Sequence, residues 1–114
     1  MKYINLEDIK NIRKNDCCEF IDYPLDDKDI DGALIKINGR YPEEGKAKNT
    51  VCKELVYIAD GNGKLYINDQ IIDLKKDMVV LIDKNEEYVW EGNNLKLFVT
   101  CDPNWYIEQH EEIK

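Results

Sequence analysis

Along most of the chain, apolar and polar residues alternate with a period of two, the pattern of strands that bury one face. Runs of this kind lie at about 17–24, 31–38, 49–59, 64–68, 70–75, 77–83, 87–91 and 95–101. Turn-forming residues separate them. Asp60-Gly61-Asn62-Gly63 is the clearest hairpin signal, because glycine and asparagine accept the positive φ that tight turns demand. Asn68-Asp69 and Gly92-Asn93-Asn94 read as further turns. Only the beginning departs from this period. Over 5–14, Leu6, Ile9 and Ile12 recur at helical spacing behind Asn5 as a cap, with Glu7 and Asp8 in the first turn, which predicts one short amphipathic helix. Many short strands with almost no helix predict an all-β sandwich or barrel. No linker or repeat divides the 114 residues, so the expectation is one domain with its barrel at about 17–101. The remainder, 102–114, reads as a tail that leaves the last strand at Pro103 and packs Trp105 on the barrel.

Composition narrows the partners. Apolar residues make up 43% of the chain and charged residues 35%, and no apolar run approaches the ~20 residues a membrane helix needs. A net charge of −8 with scattered Lys and Arg repels phosphate backbones and anionic membrane surfaces, so neither nucleic acid nor a membrane is expected as a partner. Acids within Met1–Asp8 stand where a secretory signal would be apolar, which predicts a cytoplasmic location. Cys17, Cys18, Cys52 and Cys101 include no Cys-x-x-Cys pair, and His110 is the one histidine, so the cysteines are expected to be free thiols. On a strand, Cys17 and Cys18 would point to opposite faces. His110, in an acidic tail, is expected in solvent or at a subunit contact. Asp26-Asp27-Lys28-Asp29 reads as a solvated loop without the spacing of an EF-hand.

Alternation also isolates candidate chemistry. Thr50, Cys52, Glu54, Val56 and Ile58 share one strand face, and Glu54 is its only charge. Such a carboxyl must be paired, neutral or facing a wet cavity. Tyr88 and Trp90 share a face on a later strand, and aromatic faces beside a carboxylate suit sugars and other small polar ligands with apolar C–H surfaces. Arg40 and Tyr41, in Gly39-Arg40-Tyr41-Pro42, sit where a turn would rim such a pocket. The competing reading leaves Tyr88 and Trp90 as core packing and pairs Glu54 with Lys48 or Arg40. Cys52 shares the Glu54 face, but no histidine lies nearby in sequence to activate it.

The stretch from Gly39 to Cys101 resembles the cupin superfamily. Gly39, Glu54 and Gly61 stand in the order of the first cupin motif, with its six-residue gap from Glu54 to Gly61. The segment from Asp77 through Asp83 and Asn85 to Tyr88 keeps the spacing of the second motif while replacing most of its marker residues. Gly39-Arg40-Tyr41-Pro42 and Pro103 to His110 also look like those of small single-domain cupins. The resemblance implies a double-stranded β-helix, or jelly-roll barrel, in which three histidines and a glutamate hold a metal. Here the histidine positions fall at Lys48 and Thr50, or at Ala47 and Asn49 if the spacing is one residue longer, and at Tyr88. None is histidine, so no metal or other cofactor is expected.

Two functions follow. One is binding of a small polar molecule, a carbohydrate being the leading class, in a metal-free barrel by Arg40, Tyr41, Lys48, Asn49, Glu54, Tyr88 and Trp90. The other is metal-independent isomerisation or epimerisation of a sugar or keto compound. There Glu54 is the general base, Tyr88 or Lys48 the proton donor, and Asn49 a hydrogen-bond donor to an enolate oxygen. Cupin barrels pair, so a homodimer is expected, joined through the strands near 17–24 and 31–38.

Overall fold

The computed structural model describes all 114 residues. Nine strands run in chain order: β1 (Ile12–Lys14), β2 (Cys18–Tyr23), β3 (Asp31–Tyr41), β4 (Lys46–Asn49), β5 (Lys53–Ile67), β6 (Gln70–Leu74), β7 (Val79–Ile82), β8 (Tyr88–Asp102) and β9 (His110–Ile113). All pairings are antiparallel. β8 is the hub: β5 pairs along one of its edges over the whole length, while β3 and the end of β4 take the other. β1 and β2 extend the sheet beyond β3, β9 extends it beyond β4, and β6 and β7 flank the two halves of β5. The curled sheet encloses a core that includes Ile37, Ile58, Leu65, Leu74, Ile82, Leu95 and Leu97, each 2% exposed or less. No helix is long and apolar enough to cross a membrane.

Four expectations need correction. The segment 5–14 is not a helix: only Leu6–Asp8 forms a 3₁₀ turn, and Ile12 to Lys14 extend as β1, paired with Ile21 to Glu19. A helix of ten residues is marginal on its own, and the ladder with β2 takes its last apolar position, Ile12, into β1. Asp60–Gly63 and Gly92–Asn94 do not reverse the chain. They lie opposite each other within the continuous strands β5 and β8, pairing Asn62 with Asn93 and Gly63 with Gly92. The register slips between Ile58 and Asp60 and returns by Asn62, so each strand carries one extra residue there. The positive φ of Gly61 (75°) and Asn94 (47°) belongs to these bulges. By contrast Asn68-Asp69, with φ of 52° and 58°, does join β5 to β6 as a tight hairpin turn.

Third, the tail is a structural element. After Trp105 a short 3₁₀ turn leads to β9, whose register sets Asn49 opposite His110 and Lys48 opposite Glu111. Fourth, the strands at 17–24 and 31–38 are not open edges, since β2 lies between β1 and β3, and β3 between β2 and β8.

The bulges have a measurable consequence. β5 turns Glu54, Val56 and Ile58 inward before its bulge and Leu65 after it, and β8 turns Tyr88 and Trp90 inward before its own and Leu95, Leu97, Val99 and Cys101 after it. Both strands therefore bend and change the parity of their buried face together. A Cβ at Gly63 would lie 2.2 Å from the Glu91 carbonyl oxygen, and one at Gly92 2.5 Å from that of Ile37. Gly63→Ala and Gly92→Ala should each cost roughly 2 kcal/mol, a fall in Tm on the order of ten degrees, read by thermal unfolding.

Candidate functional site

β4 places the centre of the site because its alternation turns Ala47 and Asn49 inward, both at most 3% exposed. The Asn49 Oδ1 faces three nitrogens: Gln109 Nε2 at 2.9 Å, His110 Nδ1 at 3.0 Å and Trp105 Nε1 at 3.2 Å. Its Nδ2 donates to Glu54 Oε1 at 2.6 Å. Neighbouring donors settle the proton assignment. An indole N–H can only donate, so the Asn49 atom facing Trp105 is the oxygen, and the amide N–H₂ faces Glu54. Gln109 Oε1 accepts the backbone N–H groups of Val51 (3.2 Å) and Cys52 (3.3 Å), which orients its Nε2 toward Asn49. His110 must then carry its proton on Nδ1, leaving Nε2 to accept from the Tyr41 hydroxyl at 3.2 Å. Burial lowers the His110 pKa and keeps the ring neutral in this arrangement.

Above this network lies a cavity of about 280 Å³. Glu54, Tyr88 and Cys101 line its buried end, with the Cys101 Sγ 3.7 Å from Glu54 Oε2. Phe20, Tyr41, Trp90 and Trp105 supply aromatic walls, and Arg13, Asp22 and Glu112 the exposed rim. Phe20 and Tyr41 meet edge to face at 5.4 Å, Tyr88 and Trp90 at 6.3 Å. Burial raises the pKa of Glu54, and the donors Cys101, Asn49 and Tyr88 offset this only in part. Asp31, which accepts the Trp105 backbone N–H at 2.9 Å, is likewise raised by burial. Burial pushes Tyr41 up to about 12 and Tyr88 well above its ordinary value.

Of the residues singled out from sequence, Tyr41, Glu54, Tyr88 and Trp90 line the cavity together. Asn49 stands behind them, bonded to Glu54. Lys48 and Arg40 do not line it. Lys48 alternates away from Asn49 and pairs with Glu111 at 3.6 Å. The Arg40 guanidinium binds the carbonyls of Pro42 (2.6 Å) and Gly45 (2.8 Å), closing its own loop. Glu54 therefore has no basic partner, and an amide takes the place of the salt bridge the competing reading required.

His110 is neither solvated nor left to a subunit contact: it stacks on Tyr41 at 6.5 Å and packs against Trp105 at 5.6 Å. Nor are Cys17 and Cys18 both free thiols. Asn15 Oδ1 accepts both their N–H groups in a turn before β2, and their sulfurs join as a vicinal disulfide away from the cavity, whereas Cys52 and Cys101 are free and buried. Arg13 and Asp31 are not singled out by the sequence, and His110 is read there as solvated or at a subunit contact. Arg13 lay inside the misassigned helix, and His110 inside the presumed tail. Asp31 was detectable, since it shares the inward face of β3 with Ala33, Ile35 and Ile37.

These residues do not fit the metal that the cupin resemblance brings with it. Ala47 offers a methyl group, the Asn49 oxygen is taken up by three N–H donors, and Glu54 Oε1 receives the Asn49 amide. No three His, Cys, Asp or Glu side chains gather to hold an ion.

The barrel is shared with known proteins. No protein-family model and no curated sequence matches the chain. Among solved structures, Pac13 of Streptomyces, described as a unique nucleoside dehydratase, superposes on 100% of this chain and 92% of its own with a TM-score of 0.87 at 13% identity. A variant of it holding uridine superposes with a TM-score of 0.88 at 13% identity over the same shares. Ectoine synthase from P. lautus covers 100% of this chain and 91% of its own at TM-score 0.77 and 13% identity. KdgF from Halomonas sp. covers 92% and 96% at TM-score 0.73 and 9% identity.

The raised carboxyl of Glu54 generates a pH signature. Its native state keeps the proton longer than the unfolded chain does, so the stability it contributes is full below the ordinary carboxyl range and declines as pH rises through the raised native value. Glu54→Gln stays neutral and keeps an acceptor for Asn49. Its Tm relative to the parent should therefore climb as pH goes from about 4 to about 8, and a difference that is flat with pH would refute the raised native value. These strands, registers and full-length superpositions give the chain the cupin jelly roll, with Ala47, Asn49 and Tyr88 buried beside Glu54.

Proposed function

We propose that the barrel binds one small, ring-bearing polar molecule, without a metal, at the buried carboxyl of Glu54. The observation that carries this is the pairing of a carboxyl that has no basic partner with aromatic walls in one cavity. Glu54 and Tyr88 offer hydrogen bonds to hydroxyl or amide groups at the floor, and Trp90, Tyr41 and Trp105 offer apolar faces to a ring. Carbohydrates fit that chemistry. Nucleosides join them as probes, because Pac13 shares the barrel and holds uridine. Subunit pairing is proposed through the outer face of β5 and β7, where Leu55, Tyr57, Val79 and Leu81 are exposed, in place of the strands first expected.

A second reading is proton-transfer catalysis, an isomerisation or epimerisation, on the same ligand. One observation favours it: Glu54 and a neutral His110 both bond to Asn49 and both line the cavity, so a carboxyl and an imidazole share one ligand space. Incorporation of solvent deuterium into a bound sugar or keto compound, abolished by Glu54→Gln, separates catalysis from binding.

Thermal-shift and calorimetric titration with free sugars, nucleosides, sugar phosphates and keto acids tests the binding reading. A ligand at about 100 times its Kd adds about 2.7 kcal/mol, on the order of ten degrees in Tm for a chain of this size. Glu54→Ala and Tyr88→Phe should weaken that ligand at least tenfold. Unchanged affinity in both variants would remove the cavity from the function.

A further inference from the structure

The charges that line the cavity discriminate among these ligand classes. Four carboxyl groups face it: Asp22 from β2, Asp31 from β3, Glu54 from β5 and Glu112 from β9. Against them stand Arg13 from β1 and His110 at the start of β9. Tyr41, Tyr88 and Cys101, the other titratable groups on the wall, are neutral, since burial raises both tyrosines and Cys52, burial and Glu54 together raise the thiol.

Both basic groups already have partners. The Arg13 Nη2 lies 3.1 Å from Asp22 Oδ2 and 3.4 Å from its Oδ1, and the guanidinium carbon sits over the rings of Phe20 at 5.1 Å and Trp105 at 5.7 Å. Its charge is thus matched by a carboxylate and it packs against two aromatic rings, while about half of the side chain stays exposed. His110 has committed its single proton to Asn49 and presents Nε2 to the Tyr41 hydroxyl. The basic residues that the sequence offered for the pocket are turned elsewhere, Lys48 to Glu111 and Arg40 to two backbone carbonyls. Nor does the backbone compensate, because both helical elements are three-residue turns without a helix N-terminus to receive a phosphate.

An incoming phosphate or carboxylate would exchange its hydration for a site in which Asp31 and Glu112 repel it and no free cation receives it. A hydroxyl, carbonyl or amide meets only acceptors and donors of matching kind. We infer that the cavity selects uncharged ring compounds, free sugars or nucleosides, over their phosphorylated forms and over keto acids. This rests on the binding reading above and names the chemical class within it.

Matched pairs test the inference directly: uridine with uridine 5′-monophosphate, ribose with ribose 5-phosphate, glucose with glucose 6-phosphate, each titrated calorimetrically at pH 7.5 and low salt. For any pair that binds, the phosphorylated member should be at least tenfold weaker, and the gap should narrow as salt screens the repulsion. Asp22→Asn, an exposed substitution that releases Arg13 from its ion pair, should shift the affinity ratio about tenfold toward the phosphorylated member. Glu112→Gln should shift it in the same direction. Equal or tighter binding of the phosphorylated member by the parent protein overturns the selectivity while leaving the binding reading intact. Binding by no member of any pair overturns both.

Discussion

The side-chain amide of Asn49 is the constraint on which the site depends. Its oxygen gathers N–H groups from Trp105, Gln109 and His110, three residues of the segment that closes the chain, and its nitrogen reaches across to Glu54 on β5. A buried amide must find partners for both ends, and here the two ends select different parts of the molecule. Gln109 reinforces the join: its backbone oxygen accepts the Thr50 N–H and hydroxyl, and its side chain accepts from Val51 and Cys52. Without that amide the closing segment would lose three of its polar contacts with the barrel, and the Glu54 carboxyl would lose one of the donors that hold it in place.

The same arrangement explains the electrostatic character of the cavity. A carboxyl buried beside a lysine would ionise, with the ammonium as its counter-ion. Here burial without a cation shifts it toward the neutral form, and the amide, thiol and phenol donors offset that shift only in part. Charge is displaced to the rim, where Arg13, Asp22 and Glu112 meet solvent. The interior is therefore polar in hydrogen-bonding capacity and poor in positive charge.

Much of this was legible in the sequence because strand alternation is a local property. Glu54, Tyr88 and Trp90 were placed together by period two and by the cupin spacing, and the cavity contains all three. What escaped was non-local. Nothing near His110 in the chain indicates that β9 will pair with β4, and a histidine amid acids has the composition of a solvated tail. Arg13 was hidden by the helical spacing of Leu6, Ile9 and Ile12, of which only Ile12 joins β1. Lys48 and Arg40 were chosen by position in a motif, whereas the direction of a side chain on a short strand turns on a one-residue count, and Asn49 took the inward place. The Gly-Asn clusters at 60–63 and 92–94 were read correctly as sites of unusual φ but assigned to turns, since a positive φ does not reveal whether the chain reverses or bulges.

Those paired bulges carry a consequence for how such a chain can change over generations. Each strand gains one residue where the other gains one, so the two irregularities cancel and pairing resumes in step beyond them. Losing a residue from one strand alone would leave the far half of that strand presenting its polar side to the core. Length changes near Gly61 and Asn94 are therefore tolerable only in concert, although the two segments lie some thirty positions apart in the chain.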